Sequence, residues 1–368
     1  MIAYYYSNML VCRCSGFLIE VRLMRRYTVL LVVSFVIMLL VITGTMYISG
    51  TGSDRDSGRK LLGEITVYTT LPTENVTYLA EEYEKLHKIQ VNFVPLSEQE
   101  LEQRLREPGK ADMVLADSRL LRRAAGQGWL VPYVSEHSDA VAGNLKDAGD
   151  FWIGTWYDPV VFCINRDYMQ RNARLPLGWR DLSEAKGMRI GITDFLAADS
   201  SANLYFFLIA QFGEQGTLDL LKKIHPNVVQ YAKYLSTPVR MAGMGEVDLT
   251  VAVQSEVLRY IDDGYPLKII QPEEGTAYTL IGTGILLHAP HGEQARKFAD
   301  WLLTDEALLV LQSNKFYFVP ANPATLAYKR LAVRNPVLFN QLADFPKEKR
   351  QELLDRWVKQ VRLASDDN

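Results

Sequence analysis

The stretch "VYTTLPTENVTYLAEEYEK" (67–85) starts as a short apolar strand and continues as an amphipathic helix. Two hydroxyls, Thr69 and Thr70, stand where the strand ends, and Pro72 suits a turn or an early helix position. In open α/β sheets, ligands bind outside the carboxyl ends of strands, where backbone N–H groups point outward. The two threonines therefore either hold a polar ligand or precede an ordinary helix start that Thr73 caps.

The same alternation of strand and helix patterns continues along the chain. This order is typical of βαβ units, which build a parallel sheet with helices on its faces. The sequence therefore predicts an α/β fold. A long amphipathic stretch near the end predicts two consecutive helices, and the tail predicts a polar helix. The segments on which this prediction rests include "EITVYTT", "IQVNFVPL", "ADMVLADS", "GMRIGITD", "SSANLYFFLIAQFG", "GEQARKFADWLLTDEALLVLQS" and "KEKRQELLDRWVKQVRLA".

The N-terminal part contains an uncharged apolar run, "YTVLLVVSFVIMLLVITGTMYISG", with a predicted membrane segment at 27–48. It is about as long as the roughly 20 residues that a spanning helix needs. Arg22, Arg25 and Arg26 precede it, which keeps the N-terminus in the cytoplasm by the positive-inside rule. We expect an uncleaved transmembrane anchor rather than a cleaved signal, because the run is longer than a signal-peptide core and lacks a small-residue cleavage site.

This interpretation sets the expected order of the N-terminal segments. Residues 1–26 are a cytoplasmic N-terminus, or an over-extended start if the chain begins at Met24. Residues 49–63 are rich in glycine, serine and charges and read as a flexible linker. The remainder is expected outside the cytoplasm, in the periplasm or on the cell surface.

Composition and motifs exclude several classes of function. The chain has 40 Lys and Arg against 43 Asp and Glu, a formal net charge of −3, which argues against a general nucleic-acid binder. The cysteines form no zinc-type cluster, and Cys163 in "VVFCIN" suits a small core residue. No nucleophile elbow, H-E-x-x-H motif, P-loop or dinucleotide fingerprint is present. We therefore expect no enzyme activity, no metal and no cofactor.

A second candidate ligand contact follows the strand "MRIGITD". Ser200 and Ser201 fall at the start of the next helix, where free N–H groups and the positive dipole end suit a phosphate, phosphonate or carboxylate. Ordinary capping by one serine explains the pattern equally well. Asp194 and Asp199 would repel an anion unless they face away or meet a cationic ligand group.

Further candidates lie in the second half of the chain. Ser236 and Thr237 precede Pro238, which predicts another helix start with proline at the first position. Gln254 and Glu256 fall at the end of the strand "VDLTVAVQ". Glu256 either pairs with a ligand ammonium or only complements the helix dipole. Weaker candidates at strand ends or beside turns are Ser118, Trp156, Tyr157 and Tyr278.

Taken in order, these segments resemble the extracellular solute-binding proteins of ABC importers, in the branch with ferric-iron and phosphonate binders. The resemblance spans about 64–312 and is carried by "ITVYTTLPTENVTYLAEEYEK", "DMVLADSRLLRRAAGQGWLVPY", "LPLGWRDLSEAKGMRIGITD", "VVQYAKYLSTPVRMAGMGEVDLTVAV" and "IIQPEEGTAYTLIGTGILL". It implies a two-lobed, type II periplasmic-binding-protein fold. Lobe 1 would comprise 64–157 and 279–368, and lobe 2 would comprise 158–278.

The resemblance also implies where a ligand would lie. The family's first-strand loop corresponds to Thr69, Thr70 and Leu71, which raises the ligand interpretation of the threonines above the capping one. The same correspondence supports the candidates named above in the second half of the chain. They are Ser200, Ser201, Ser236, Thr237, Gln254 and Glu256.

The departures from the family pattern decide between ligands. Ferric binders of this type use adjacent tyrosines, but here Tyr231 and Tyr234 are three residues apart. We therefore expect a phosphonate, another oxyanion or a similar organic solute, with ferric iron as the alternative and an extracytoplasmic enzyme as the alternative of another class. The expected partners are a small-molecule ligand, an importer permease or a sensor kinase, and the membrane through the N-terminal helix, with the protein as a monomer.

Overall fold

The computed structural model describes Met38 and residues 61–172, 174–332, 336–339 and 344–364. The chain divides into two compact units, Met1–Lys60 and Leu61–Asn368. Met38 is helical and exposed, but the rest of the predicted cytoplasmic, transmembrane and linker segments up to residue 60 lies outside the described residues. Within the part that the structure describes, no helix is long and apolar enough to cross a membrane.

The second unit contains an 11-stranded sheet. Its inner parallel strands read as continuous apolar runs because helices cover both of their faces. In order across the main path, the strands are β2, β1, β3, β10, β5, β8, β6 and β7. The strands are β1 (Gly63–Thr69), β2 (Ile89–Pro95), β3 (Met113–Asp117), β4 (Leu130–Val131), β5 (Ile153–Asn165), β6 (Ile190–Thr193), β7 (Val228–Ala232), β8 (Leu249–Val253), β9 (Leu267–Ile270), β10 (Tyr278–Leu286) and β11 (Val319–Pro320).

Helices connect these strands, as the alternating pattern predicts. The helices of the described residues in this unit are α1 (Thr73–His87), α2 (Glu98–Arg104), α3 (Ser118–Gly126), α4 (Glu136–Ala140), α5 (Arg166–Arg171), α6 (Trp179–Glu184), α7 (Asp199–Phe212), α8 (Glu214–Ile224), α9 (Ser236–Gly243), α10 (Gln254–Asp262), α11 (Gly292–Trp301), α12 (Asp305–Ser313), α13 (Leu326–Leu331) and α14 (Lys347–Trp357). Short 3₁₀ turns occupy Gly143–Leu145 and His225–Asn227, and a π-helical turn, Val358–Arg362, follows α14.

The long strand β5 joins two lobes. Its first half pairs antiparallel with β10 and β11, and its second half pairs with β8 and β9. Asp158 lies opposite Thr279 in this register, at the point where β5 passes from one set of partners to the other. The α/β two-lobed architecture predicted from the sequence is confirmed. We propose lobe limits at this crossing, as the resemblance implied.

Each lobe has its own hydrophobic core. The first core surrounds β1, β3 and β10, with Ile65, Met113 and Phe298 fully buried. The second core surrounds β6 and β8 with α7, and contains Ile190, Tyr205 and Leu249. A smaller cluster covers the other side of the second lobe.

The C-terminal tail packs differently from the expectation. It was predicted to return to lobe 1 with residues 279–368. Instead Leu353, Trp357 and Val361 lie in the second core. The apolar face of α14 is covered there by aromatic rings, with Trp357 centred 4.8 Å from Phe195 and 5.5 Å from Tyr231. The tail from α14 onward therefore belongs to the second lobe.

This packing predicts a large effect of truncating Trp357. The side chain is 0% exposed, and loss of a fully buried tryptophan leaves a cavity that costs about 3–5 kcal/mol. We expect Trp357→Ala to lower the free energy of unfolding by that amount in urea denaturation. Leu363→Ala is the matched control, since Leu363 is 69% exposed. Equal losses in the two variants would mean that the tail is not part of the core.

Candidate functional site

A cavity of about 570 Å³ opens between the two lobes. The first lobe contributes Leu71, Trp156, Thr279 and the loop after α12, and the second lobe contributes Ser200, Leu235 and the start of α10. Carboxyl ends of parallel strands meet here from both sides, because β1, β6 and β8 all lead into lining segments. The cavity is therefore the candidate ligand site.

Strand parity decides which hinge residues reach the cavity. Trp156 and Asp158 on β5 face it together with Thr279 and Ile281 on β10. Asp158 lies opposite Thr279 and Trp156 lies opposite Ile281 in the antiparallel register. The four side chains therefore share one face of the paired strands. This face is the floor of the cleft.

Tyr157 and Tyr278 alternate onto the opposite face of the hinge. Both are buried, at 2% and 9% exposure, with ring centroids 6.2 Å apart. Tyr278 also packs 5.5 Å from Phe207, and burial raises the pKa of both phenols. The structure thus gives these two predicted ligand residues a packing environment away from the cavity.

Asp158 is the most perturbed group on the cleft floor. Its two carboxylate oxygens accept hydrogen bonds from the Ser255 backbone N–H at 3.0 Å and the Ser255 hydroxyl at 2.5 Å. Burial raises the pKa of Asp158 to about 7, more than these hydrogen bonds lower it, and nearby Glu256 raises it further. Near neutral pH the carboxyl is therefore poised between its two protonation states.

The first-strand loop uses its hydroxyl internally. Thr69 is fully buried; its hydroxyl donates to the Leu115 carbonyl at 2.8 Å and accepts from the Leu71 N–H at 3.1 Å. These bonds hold Leu71 at the cavity, while half-buried Thr70 is not among the lining residues. The capping alternative for Thr73 is wrong, because α1 follows Pro72 as its N-cap and Thr73 is its first residue.

The start of α7 divides the two predicted serines between different roles. Ser200 lines the cavity. Ser201 is buried, with its hydroxyl 2.8 Å from the carbonyls of both Asp194 and Ala198. Neither serine caps the helix, since the N-cap is Ala198. Asp194 faces away from the site, because its carboxylate pairs with Arg362 of the tail at 2.7 Å.

Ser236, Thr237 and Gln254 do not line the cavity. Half-buried Ser236 and Thr237 open α9, so that Pro238 is its third residue and not its first; neighbouring Leu235, not they, lines the cavity. Gln254 is fully buried and donates to the Leu331 carbonyl of the first lobe at 2.7 Å. It therefore ties the lobes together.

Of the last two predicted residues, both near helix starts, Glu256 lines the cavity and Ser118 does not. Glu256 lines the cavity and pairs with Arg259 at 2.5 Å. Burial raises its pKa, and Arg259 opposes that shift. Ser118 is 8% exposed, and its hydroxyl accepts from Arg122 at 3.3 Å. Of the predicted site residues, the structure brings Leu71, Ser200 and Glu256 together around the cavity.

Sequence analysis named Trp156 only as a weaker candidate and missed the other two residues of the aromatic wall of the cleft. Trp156, Phe316 and Phe318 line the cavity, with Phe318 stacked 6.2 Å from Trp156 and 6.3 Å from Phe316. It also missed Asp158 as a site residue. Two signals pointed to these residues: a charge inside the apolar strand "WYDPVVF", and the alternating aromatics of "KFYFVP".

A family model described as bacterial extracellular solute-binding protein matches residues 65–316. The chain belongs to this family. It is a substrate-binding protein of the kind that serves ABC importers, with the type II periplasmic-binding-protein fold. The resemblance inferred from the ordered segments is confirmed.

Individual relatives are distant. An uncharacterised protein of Haemophilus influenzae is 28% identical over 260 residues, which cover 66% of this chain and 73% of the relative. The Bordetella ferric binding protein superposes with a TM-score of 0.66 at 19% identity, covering 81% of this chain and 99% of that one. AfuA of Actinobacillus pleuropneumoniae, with bound fructose-6-phosphate, gives 0.60 at 22% identity, covering 82% and 100%. These two structural similarities show a shared fold.

The environment of Asp158 predicts a pH-dependent stability. Because its folded pKa is raised to about 7 from 3.8, its favourable contribution is present at low pH and is lost as pH rises through 7. Between pH 5 and pH 8, we expect Asp158→Asn to gain about 1–3 kcal/mol in unfolding free energy relative to wild type. Urea denaturation at both pH values measures this change.

The matched control is Asp219→Asn, an exposed carboxylate on α8. Its unfolding free energy should track that of wild type at both pH values. A difference between wild type and Asp158→Asn that stays constant with pH would contradict the assigned environment.

Proposed function

We propose that this protein captures a small polar organic solute between its two lobes and presents it to an ABC importer. The observation that carries the proposal is the 570 Å³ cavity at the crossing of β5 and β10, lined from both lobes. A volume of this size suits a small molecule. A rotation of the lobes about the crossing strands would enclose such a molecule.

The lining favours an organic solute over a simple oxyanion. Three carboxyl groups line the cavity, those of Glu74, Asp158 and Glu256. The two lining cations are both paired, Arg259 with Glu256 and Lys315 with Asp263 at 2.6 Å. A phosphonate or other oxyanion remains a candidate through the N–H groups at the start of α7, as the sequence suggested.

Ferric iron has less support. Tyr231 is engaged with His225, whose Nδ1 lies 2.9 Å from the phenol oxygen, and its ring packs against Trp357 in the second core. Tyr234 is 63% exposed. Neither tyrosine lines the cavity between the lobes.

An enzymatic role is the alternative of another class. The family consists of solute-binding proteins, not enzymes. Asp158 has a pKa suited to proton transfer, so turnover by the purified protein that is lost in Asp158→Asn would favour an enzyme. We propose that the protein binds without bond chemistry.

We further propose that the protein works as a monomer outside the cytoplasm, tethered by the segment 27–48. The apolar run and the preceding arginines support the tether. A sensor kinase is an alternative partner that would read the same ligand-bound form.

A matched pair of variants tests the site. Ser200→Trp places a large side chain in the cavity, whereas Gln215→Trp places it on the exposed surface of α8. We would screen phosphate, phosphonates, amino acids, polyamines and ferric citrate by thermal shift. A ligand at 100 times its dissociation constant adds about 2.7 kcal/mol of stability.

We expect one class of compound to stabilise wild type and Gln215→Trp equally and to leave Ser200→Trp unchanged. Unfolding free energies of both unliganded variants should stay near that of wild type, since both positions are accessible to solvent. No response to any class, or full binding by Ser200→Trp, would refute the proposed site.

A further inference from the structure

The acidic and basic side chains that line the cleft are not all paired with one another. Arg259 is held by Glu256 and Lys315 by Asp263, as described above. Asp158 accepts hydrogen bonds from Ser255 alone, and no cation pairs with it among the described residues. Asp158 is half-buried, and its stabilisation comes from the Ser255 N–H and hydroxyl at the start of α10. A positive group of a ligand would add an ion pair that the described side chains do not supply.

The aromatic wall offers a second attraction for positive charge. Trp156, Phe316 and Phe318 form a ledge of near-parallel rings, with interplanar angles of 13° and 12°. A ligand cation over the face of an aromatic ring is attracted by the negative charge of that face. The same ledge also accommodates the apolar body of a ligand.

Trp156 supports this ledge more than it forms its surface. It is only 2% exposed and its indole Nε1 is buried. Phe316 and Phe318 are half-buried and line the cavity, so their rings are the part of the ledge that a ligand would meet.

We propose that the ligand is an organic cation, an amine or quaternary ammonium compound, whose charge pairs with Asp158 while its apolar part lies on the aromatic ledge. This inference rests on the proposed function and names the chemical class of solute for the same cavity. The sequence offered Glu256 as the partner of a ligand ammonium. We assign that role to Asp158 instead, because Arg259 already neutralises Glu256.

Cation binding at this site is linked to protons. The charged groups lining the same cavity are Glu74 from α1, Glu256 and Arg259 from α10, and Lys315 from the loop after α12. Asp158 pairs with a cation only when ionised, and burial raises its pKa to about 7. The apparent affinity should therefore rise about tenfold from pH 6 to pH 8, with release of a proton. An oxyanion would show the opposite trend.

Calorimetry on the full chain tests the charge requirement with paired probes. Phenylethanolamine is compared with phenylethanediol, and choline with its neutral carbon isostere; phenylphosphonate and inorganic phosphate represent anions. We expect at least one cation to bind at least tenfold more tightly than its neutral counterpart. Its affinity should increase from pH 6 to pH 8.

Two carboxylate variants locate the effect. Asp158→Asn should weaken binding of that cation at least tenfold at pH 8 and abolish the pH dependence, whereas Asp219→Asn should match wild type in both respects. Tighter binding of a neutral or anionic probe, affinity that falls as pH rises, or unchanged binding by Asp158→Asn would overturn this inference and leave the proposed function standing. Failure of every compound in this panel and in the broader screen would overturn both.

Discussion

The antiparallel pairing of β5 with β10 is the constraint on which the rest of the molecule depends. One continuous strand carries hydrogen bonds to the first lobe through its early residues and to the second lobe through its later ones. Each lobe buries its own core, so a rotation at Asp158 and Thr279 changes the cleft without exposing either core. The candidate site and the crossing between the lobes are therefore built from the same residues.

This coincidence explains the chemistry of the cleft floor. Partial burial at the junction of the lobes raises the pKa of Asp158 despite two hydrogen bonds from Ser255. Closure of the lobes would desolvate the carboxyl further and would strengthen its attraction for a positive charge. A ligand that neutralises Asp158 thus stabilises the closed form more than the open one, which is the differential affinity that a ligand-driven closure needs.

The sequence predicted the lobes and part of the site for clear physical reasons. Strand ends that turn into helices fix where Leu71, Ser200 and Glu256 lie, because the carboxyl ends of neighbouring strands meet at one edge. The alternation within β5 was only partly readable from the sequence. Ile153–Asn165 is largely apolar on both faces, so only the charge of Asp158 marks the side that meets the cavity. The docking of α14 depends on rings more than 100 residues away in sequence, and an amphipathic pattern does not specify its partner.

The hydrogen-bond partners of each residue distinguish those that hold the site together from those that can contact a ligand. Thr69, Ser201 and Gln254 were predicted as ligand contacts, but the side chain of each is hydrogen-bonded to a backbone carbonyl of the protein. Such groups have little to offer a ligand, but they fix the loops that surround it. Asp158 is different, because its half-buried carboxyl lines the cavity and pairs with no cation among the residues that the structure describes. A ligand that reaches the cleft floor therefore meets the carboxyl of Asp158 and the half-buried rings of Phe316 and Phe318, and not the hydroxyls that hold the loops.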